Sequence, residues 1–154
     1  MKPSAREAPC RNSRYCILCD VPPEVWSWIE RRAPLQRVPP GNLLFKEGDK
    51  PTELIVVCSG AVEFYYSTPQ GRTAVRRVAR AGDLLGYTGM LAKKPFDASA
   101  MTVEWCQLRF VKKADFFHLL KTVPELREHI ERLMAQELYE GSHLFQLARG
   151  WGLG

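Results

Sequence analysis

Turn chemistry recurs at short intervals between residues 43 and 111. Glu47-Gly48-Asp49, Ser59-Gly60, Thr68-Pro69-Gln70-Gly71 and Ala81-Gly82-Asp83 interrupt each apolar run before it reaches the length of an ordinary helix. The runs between them read as strands at 43–45, 54–58, 61–66, 74–79, 84–85, 98–103 and 107–111. Val62, Phe64 and Tyr66 alternate with Glu63 and Tyr65, the period of a strand with one buried face. Many short strands at this spacing close into a sandwich, jelly roll or roll. The expected class is therefore mainly β with flanking helices.

Helical signals lie outside that block. Pro22 and Pro23 open a helix over 22–33, where a missing N–H at the first turn has no partner to lose, and Val25, Trp26 and Ile29 give it an apolar side. After Val111 the period changes. Residues 113–120 read as a short helix, and Pro124 starts a longer one to about Gln146. Leu126, Ile130, Leu133 or Met134, Leu138, Gly141 and Phe145 follow three-four spacing along it. Such a seam packs on the chain's own sheet or pairs with a second copy. The expected organisation is a cysteine-bearing segment 1–21, a β domain 22–122, a helix 123–146 and a tail 147–154. Glycine at alternate positions in that tail does not favour a DNA-reading helix, and none is expected.

At 154 residues one fold unit accounts for the chain, without need of disulfides or metal for a core. No apolar run approaches the roughly 18 residues of a spanning helix, and residues 1–9 lack the apolar stretch of a secretory signal, so the expectation is a cytoplasmic protein without membrane attachment. The net charge of +5 is spread as pairs such as Arg31-Arg32 and Lys93-Lys94, the pattern of a solvated surface rather than of a basic reading helix. A metal-binding β-barrel enzyme needs histidines on strands, whereas His118, His129 and His143 all fall in the helical part. Catalytic pairings and glycine-rich nucleotide loops are also missing, so catalysis is not expected.

One segment makes sense only as a unit. Gly82-Asp83-Leu84-Leu85-Gly86-Tyr87-Thr88-Gly89-Met90-Leu91, then Lys93-Lys94-Pro95-Phe96-Asp97-Ala98-Ser99-Ala100, reads as strand end, loop, helical turn, loop and strand. Its glycines allow positive φ, and the amides around Gly86 and Gly89 are placed to form a small anion nest. These residues, with Pro40-Gly41, Phe45, Glu47-Gly48-Asp49, Ser59-Gly60, Gly71 and the segment 110–120, resemble the cyclic-nucleotide-binding domain of Crp/Fnr-type bacterial regulators. The resemblance implies a double-stranded β-helix, or jelly roll, followed by a long dimerisation helix, and a homodimer through Leu126, Ile130, Leu133 and Leu138. It also implies a Glu after the second cassette glycine and an Arg at the distal corner, where this chain has Tyr87 and Phe96. An aromatic ring cannot pair with a buried phosphate, so cyclic AMP is not the expected ligand. Candidate pocket residues are Gly86, Tyr87, Thr88, Gly89, Phe96, Asp97 and Ser99, suited to an apolar or aromatic small molecule; the alternative is that Tyr87 and Phe96 fill the cavity as core.

Cys10, Cys16 and Cys19 form a Cys-x5-Cys-x2-Cys cluster among arginines. In a cytosolic chain such a cluster points to metal or redox chemistry before a structural bridge. Oxygen-sensing members of the resembled family carry a terminal cluster of this kind that ligates an iron–sulfur cluster, though with the two gaps in the other order. Cys106 is the candidate fourth ligand, about three residues before the matching position, which holds Arg109; an odd shift along a strand turns a side chain to the other face. Cys58 reads as core. The expected functions are effector sensing, redox sensing through these thiols, or dimerisation with a full-length regulator.

Overall fold

The computed structural model describes residues 21–153, in which two four-stranded antiparallel sheets close around a shared apolar interior. One sheet has the order β1 (Gln36–Val38), β8 (Cys106–Lys112), β3 (Glu53–Ser59), β6 (Leu84–Leu85). The other runs β2 (Leu43–Phe45), β7 (Ser99–Thr102), β4 (Val62–Ser67), β5 (Thr73–Ala79). This is the expected jelly-roll arrangement, and the strand at 84–85 falls where it was expected. Helices α1 (Pro23–Arg32), α2 (Tyr87–Ala92), α3 (Lys113–Thr122) and α4 (Pro124–Leu153) accompany the sheets. Among the described residues no helix is long and apolar enough to cross a membrane.

β3 explains how the molecule is layered. Leu54 through Cys58 are all buried, because the strand is covered on both faces. Ile55 and Val57 point into the roll with Val62, Phe64, Ala100 and Leu108. Leu54, Val56 and Cys58 point the other way, against Trp26 and Ile29 of α1, Phe116 and Leu119 of α3, and Leu126 and Ile130 of α4. Alternation along β8 does the same. Cys106 and Leu108 face the roll, and Val111 joins the helical layer.

Three expectations need correction. Tyr66 is exposed rather than buried; it lies beyond Tyr65, the last β4 residue paired with β7, near the open end of the strand. β1 went unforeseen; its three residues carry no apolar pattern and owe their conformation to pairing with β8. α4 continues past Gln146, through Gly150 and Gly152, to Leu153, so propensity alone set the expected end too early.

Candidate functional site

Gly86 ends β6 in the left-handed region, with φ of 90°, and starts α2. At that bend the chain sends its side chains to opposite layers. Tyr87 goes to the helical side, where it is 3% exposed and packs in the cluster built on α1, α3 and α4. Phe96 goes to the roll, stacking on Phe45 with ring centroids 3.8 Å apart and planes 12° from parallel. A Cβ on Gly86 would stand 3.2 Å from the Phe96 ring, so this ring covers the glycine face where an anion nest was expected.

The distal corner is knitted to the 46–49 turn. Gly48 N–H donates to Phe96 O at 2.9 Å, Phe96 N–H to Asp49 O at 3.0 Å, and Glu47 N–H to the Ser99 hydroxyl oxygen at 2.9 Å. Ser99 is therefore a buried anchor of that turn. Gly89 lies close to Pro51 and the Lys94 carbonyl, while Thr88 and Asp97 are on the surface. The seven residues expected to line one pocket are thus divided among the helical layer, the roll side, a turn and the outer surface.

A cleft of about 350 Å³ does open, on the other side of Tyr87. Gly82, Asp83, Leu84 and Tyr87 form one wall, Leu133, Gln136, Glu137 and Glu140 of α4 the other, with Arg77 of β5 at the edge. Of the expected pocket residues, Tyr87 alone lines it. The Tyr87 phenol lies near enough to the Glu137 carboxylate for the two to interact electrostatically, and Arg77 Nη1 lies 4.0 Å from Glu137 Oε1, with its guanidinium carbon 4.8 Å above the Phe64 ring. Cassette, roll and C-terminal helix therefore meet at Glu137. The signal for this wall was present in the sequence: residues 133, 136, 137 and 140 fall on one helical face.

Burial and the neighbouring Glu137 carboxylate both disfavour the phenolate, so the Tyr87 phenol is held well above its ordinary range. A raised folded value means stability that is complete below the unfolded value near 10 and is lost as pH rises beyond it. Between about pH 9 and about pH 11 the urea midpoint of the native chain should therefore fall more steeply than that of Tyr87→Phe. Parallel slopes would contradict the placement of the phenol.

The cysteine expectations separate. Cys10, Cys16 and Cys19 lie outside the described residues. Cys106 is 1% exposed, its sulfur 3.3 Å from the Ala61 carbonyl and 3.4 Å from that of Glu104, and burial pushes its thiol above the ordinary range. Enclosed in this way, the sulfur does not fit a ligand of an iron–sulfur cluster, and among the described residues no three His, Cys, Asp or Glu side chains converge as a metal group. With serine at positions 10, 16 and 19, thiol titration at pH 8 should find Cys58 and Cys106 silent until denaturant is added; prompt labelling would contradict their packing.

Arg109, at the position matching the family's ligand, faces the opposite layer and is 1% exposed. Its Nη1 donates to Ala33 O at 2.9 Å, its Nη2 lies 3.5 Å from Glu30 Oε1, and its guanidinium sits 5.0 Å from the Trp26 ring centroid. This side chain bolts the end of α1 to β8. Along α4, Leu126 and Ile130 are buried in the chain's own core and Leu133 is partly buried against it, so these three of the expected dimer contacts are used internally. Leu138 is 72% exposed, beside Met134 and Tyr139, which are also exposed.

Comparison with known proteins agrees with this architecture. Residues 35–123 match the family model described as the cyclic nucleotide-binding domain. Electron transport regulator A of Shewanella oneidensis is 31% identical over 121 residues, 77% of this chain and 46% of the relative. The fumarate and nitrate reduction regulatory protein of Escherichia coli is 33% identical over 112 residues, 71% of this chain and 42% of the relative. This chain spans less than half the length of both. Among solved structures, the catabolite activator protein of Thermus thermophilus superposes with a TM-score of 0.74 at 23% identity, covering 92% of this chain and 63% of that one. The sensor domain of the regulator DNR from Pseudomonas aeruginosa gives 0.71 at 18% identity, covering 87% and 89%. The match over residues 35–123, two sheets closed into a jelly roll and a cassette joined to a long C-terminal helix show that this chain belongs to the cyclic nucleotide-binding domain family, with relatives among Crp/Fnr-type regulators.

Proposed function

We propose that the chain is the effector-sensing module of a Crp/Fnr-type transcriptional regulator, with the α4-side cleft as its effector site and α4 as its output. One observation carries this reading: the cassette reaches α4 through Tyr87 and Glu137 across the walls of a cleft large enough for a small molecule. On the other side of Gly86, Phe96 stacks on Phe45 and offers no charge to a phosphate. An occupant of the cleft touches both walls, so it has a different affinity for each position of the helix and biases which one is populated. The helix reports that bias to a second copy through its outer face, where Leu138 and Tyr139 are exposed.

The test is the association state. The chain should sediment as a dimer at micromolar concentration, and Leu138→Asp should weaken association at least about 100-fold, the effect of losing an interface anchor worth ~3 kcal/mol. A monomeric native chain, or a Leu138→Asp chain that remains dimeric, would remove α4 as the output. Mixing with a full-length relative then asks whether the same face forms heterodimers.

A further inference from the structure

We infer that the cleft between the cassette and α4 takes a small cationic ligand, a guanidine or an alkylamine. This rests on the sensor reading above and narrows it to a ligand class. Asp83, Glu137 and Glu140 contribute three carboxylates to the lining, and Arg77 the one cation. Glu137 and Glu140 lie three residues apart on α4, so both project toward one side of the helix. Leu84 and Leu133 supply apolar wall between the charges.

The hydrogen-bond inventory points the same way. Gln136 Nε2 donates to Glu140 Oε1 at 3.2 Å, and the Tyr87 phenol lies beside the Glu137 carboxylate. Asp83 accepts the Arg80 amide on one oxygen, at 2.8 Å. What remains is mainly acceptor capacity: carboxylate oxygens and the phenol oxygen. A ligand that satisfies them has to bring donors and positive charge. An anion would meet the excess of carboxylates, and its one candidate partner, Arg77, already lies beside Glu137.

Arg77 also shows how a guanidinium is accommodated at this place. It lies over the face of the Phe64 ring with a carboxylate at its edge, a geometry that suits a planar cation. Its side chain is about half exposed, so it is free to swing outward on the surface. A ligand guanidinium takes that position, and its remaining donors reach toward Glu140.

The experiment is calorimetric titration of the full chain at low ionic strength with agmatine and putrescine, with cyclic AMP as the anionic control. Agmatine is expected to bind saturably. Glu140→Gln should weaken it about tenfold, added salt should weaken it as well, and Arg77→Ala should tighten it by vacating the position over Phe64. No saturable binding of either amine up to about 10 mM, or agmatine binding unchanged in both variants, overturns the cationic class. If an anionic or uncharged compound binds instead and the cleft-filling Leu133→Trp abolishes it, the class is wrong and the sensor reading stands. Binding of every compound unaffected by Leu133→Trp removes the cleft from both.

Discussion

Gly60→Ala is expected to lower stability by about 3–5 kcal/mol. The glycine sits in the turn that carries the chain from β3 in one sheet to β4 in the other, with φ of 93°, where an L side chain is already strained by roughly 1–2 kcal/mol. Space is the larger difficulty. An added Cβ would stand 2.5 Å from the Trp105 carbonyl oxygen, 2.6 Å from the Cys106 sulfur and 2.8 Å from the Cys106 Cα. Two of these atoms are backbone, so relief requires the start of β8 to move away from the β3–β4 turn. That start also pairs with β1, and the displacement spreads across the sheet. In a domain stabilised by some 5–15 kcal/mol, the melting midpoint should fall on the order of 10 °C. Gly71→Ala is the control: φ there is 76° and nothing lies within 4 Å of the added carbon, so strain alone should cost about 1 kcal/mol. Equal losses in the two variants would show that crowding at Gly60 is relieved cheaply.

Arg109→Ala should destabilise by about 3 kcal/mol, read as a shift of the urea midpoint. Two mechanisms add. The Ala33 carbonyl loses its guanidinium donor at 2.9 Å, and the space beside Trp26 becomes a cavity. Arg109→Met separates them, since it restores most of the volume and none of the donors; recovery of about half the loss is expected. The Glu30 contact contributes little, because that carboxylate is about half exposed and 3.5 Å away, so Glu30→Gln should stay within about 0.5 kcal/mol of the native chain. If Glu30→Gln were as damaging as Arg109→Ala, the ion pair rather than the carbonyl anchor would be holding α1.

The residues that made the fold legible are those that act locally. Turn dipeptides and glycines with positive φ are decided within four residues, and they set the strand succession and the position of β6. Features created by distant partners stayed hidden. β1 exists because β8 offers its edge, and Tyr66 is exposed where β4 runs past the end of its pairing with β7. The cassette was recognisable, yet its side chains were assigned to one pocket when Gly86 sends Tyr87 and Phe96 to different layers. A linear pattern records that two residues are near a loop, not which side of a sheet each reaches. The seam on α4 was equally ambiguous, since apolar spacing reads the same whether the neighbour is the chain's own sheet or another copy. Here Leu126 and Ile130 are internal and Leu138 is exposed.

That division turns α4 into a lever. Leu126 and Ile130 fix one end in the core, the cleft bears on the helix about a turn or two farther along, and the helix continues to Leu153. At 1.5 Å per residue the helix from Ile130 to Leu153 is roughly 35 Å long. A tilt of about 10° at the fulcrum would carry Leu138 roughly 2 Å and the far tip about 6 Å, so an ångström-scale adjustment at Glu137 is multiplied several-fold at the end of the arm.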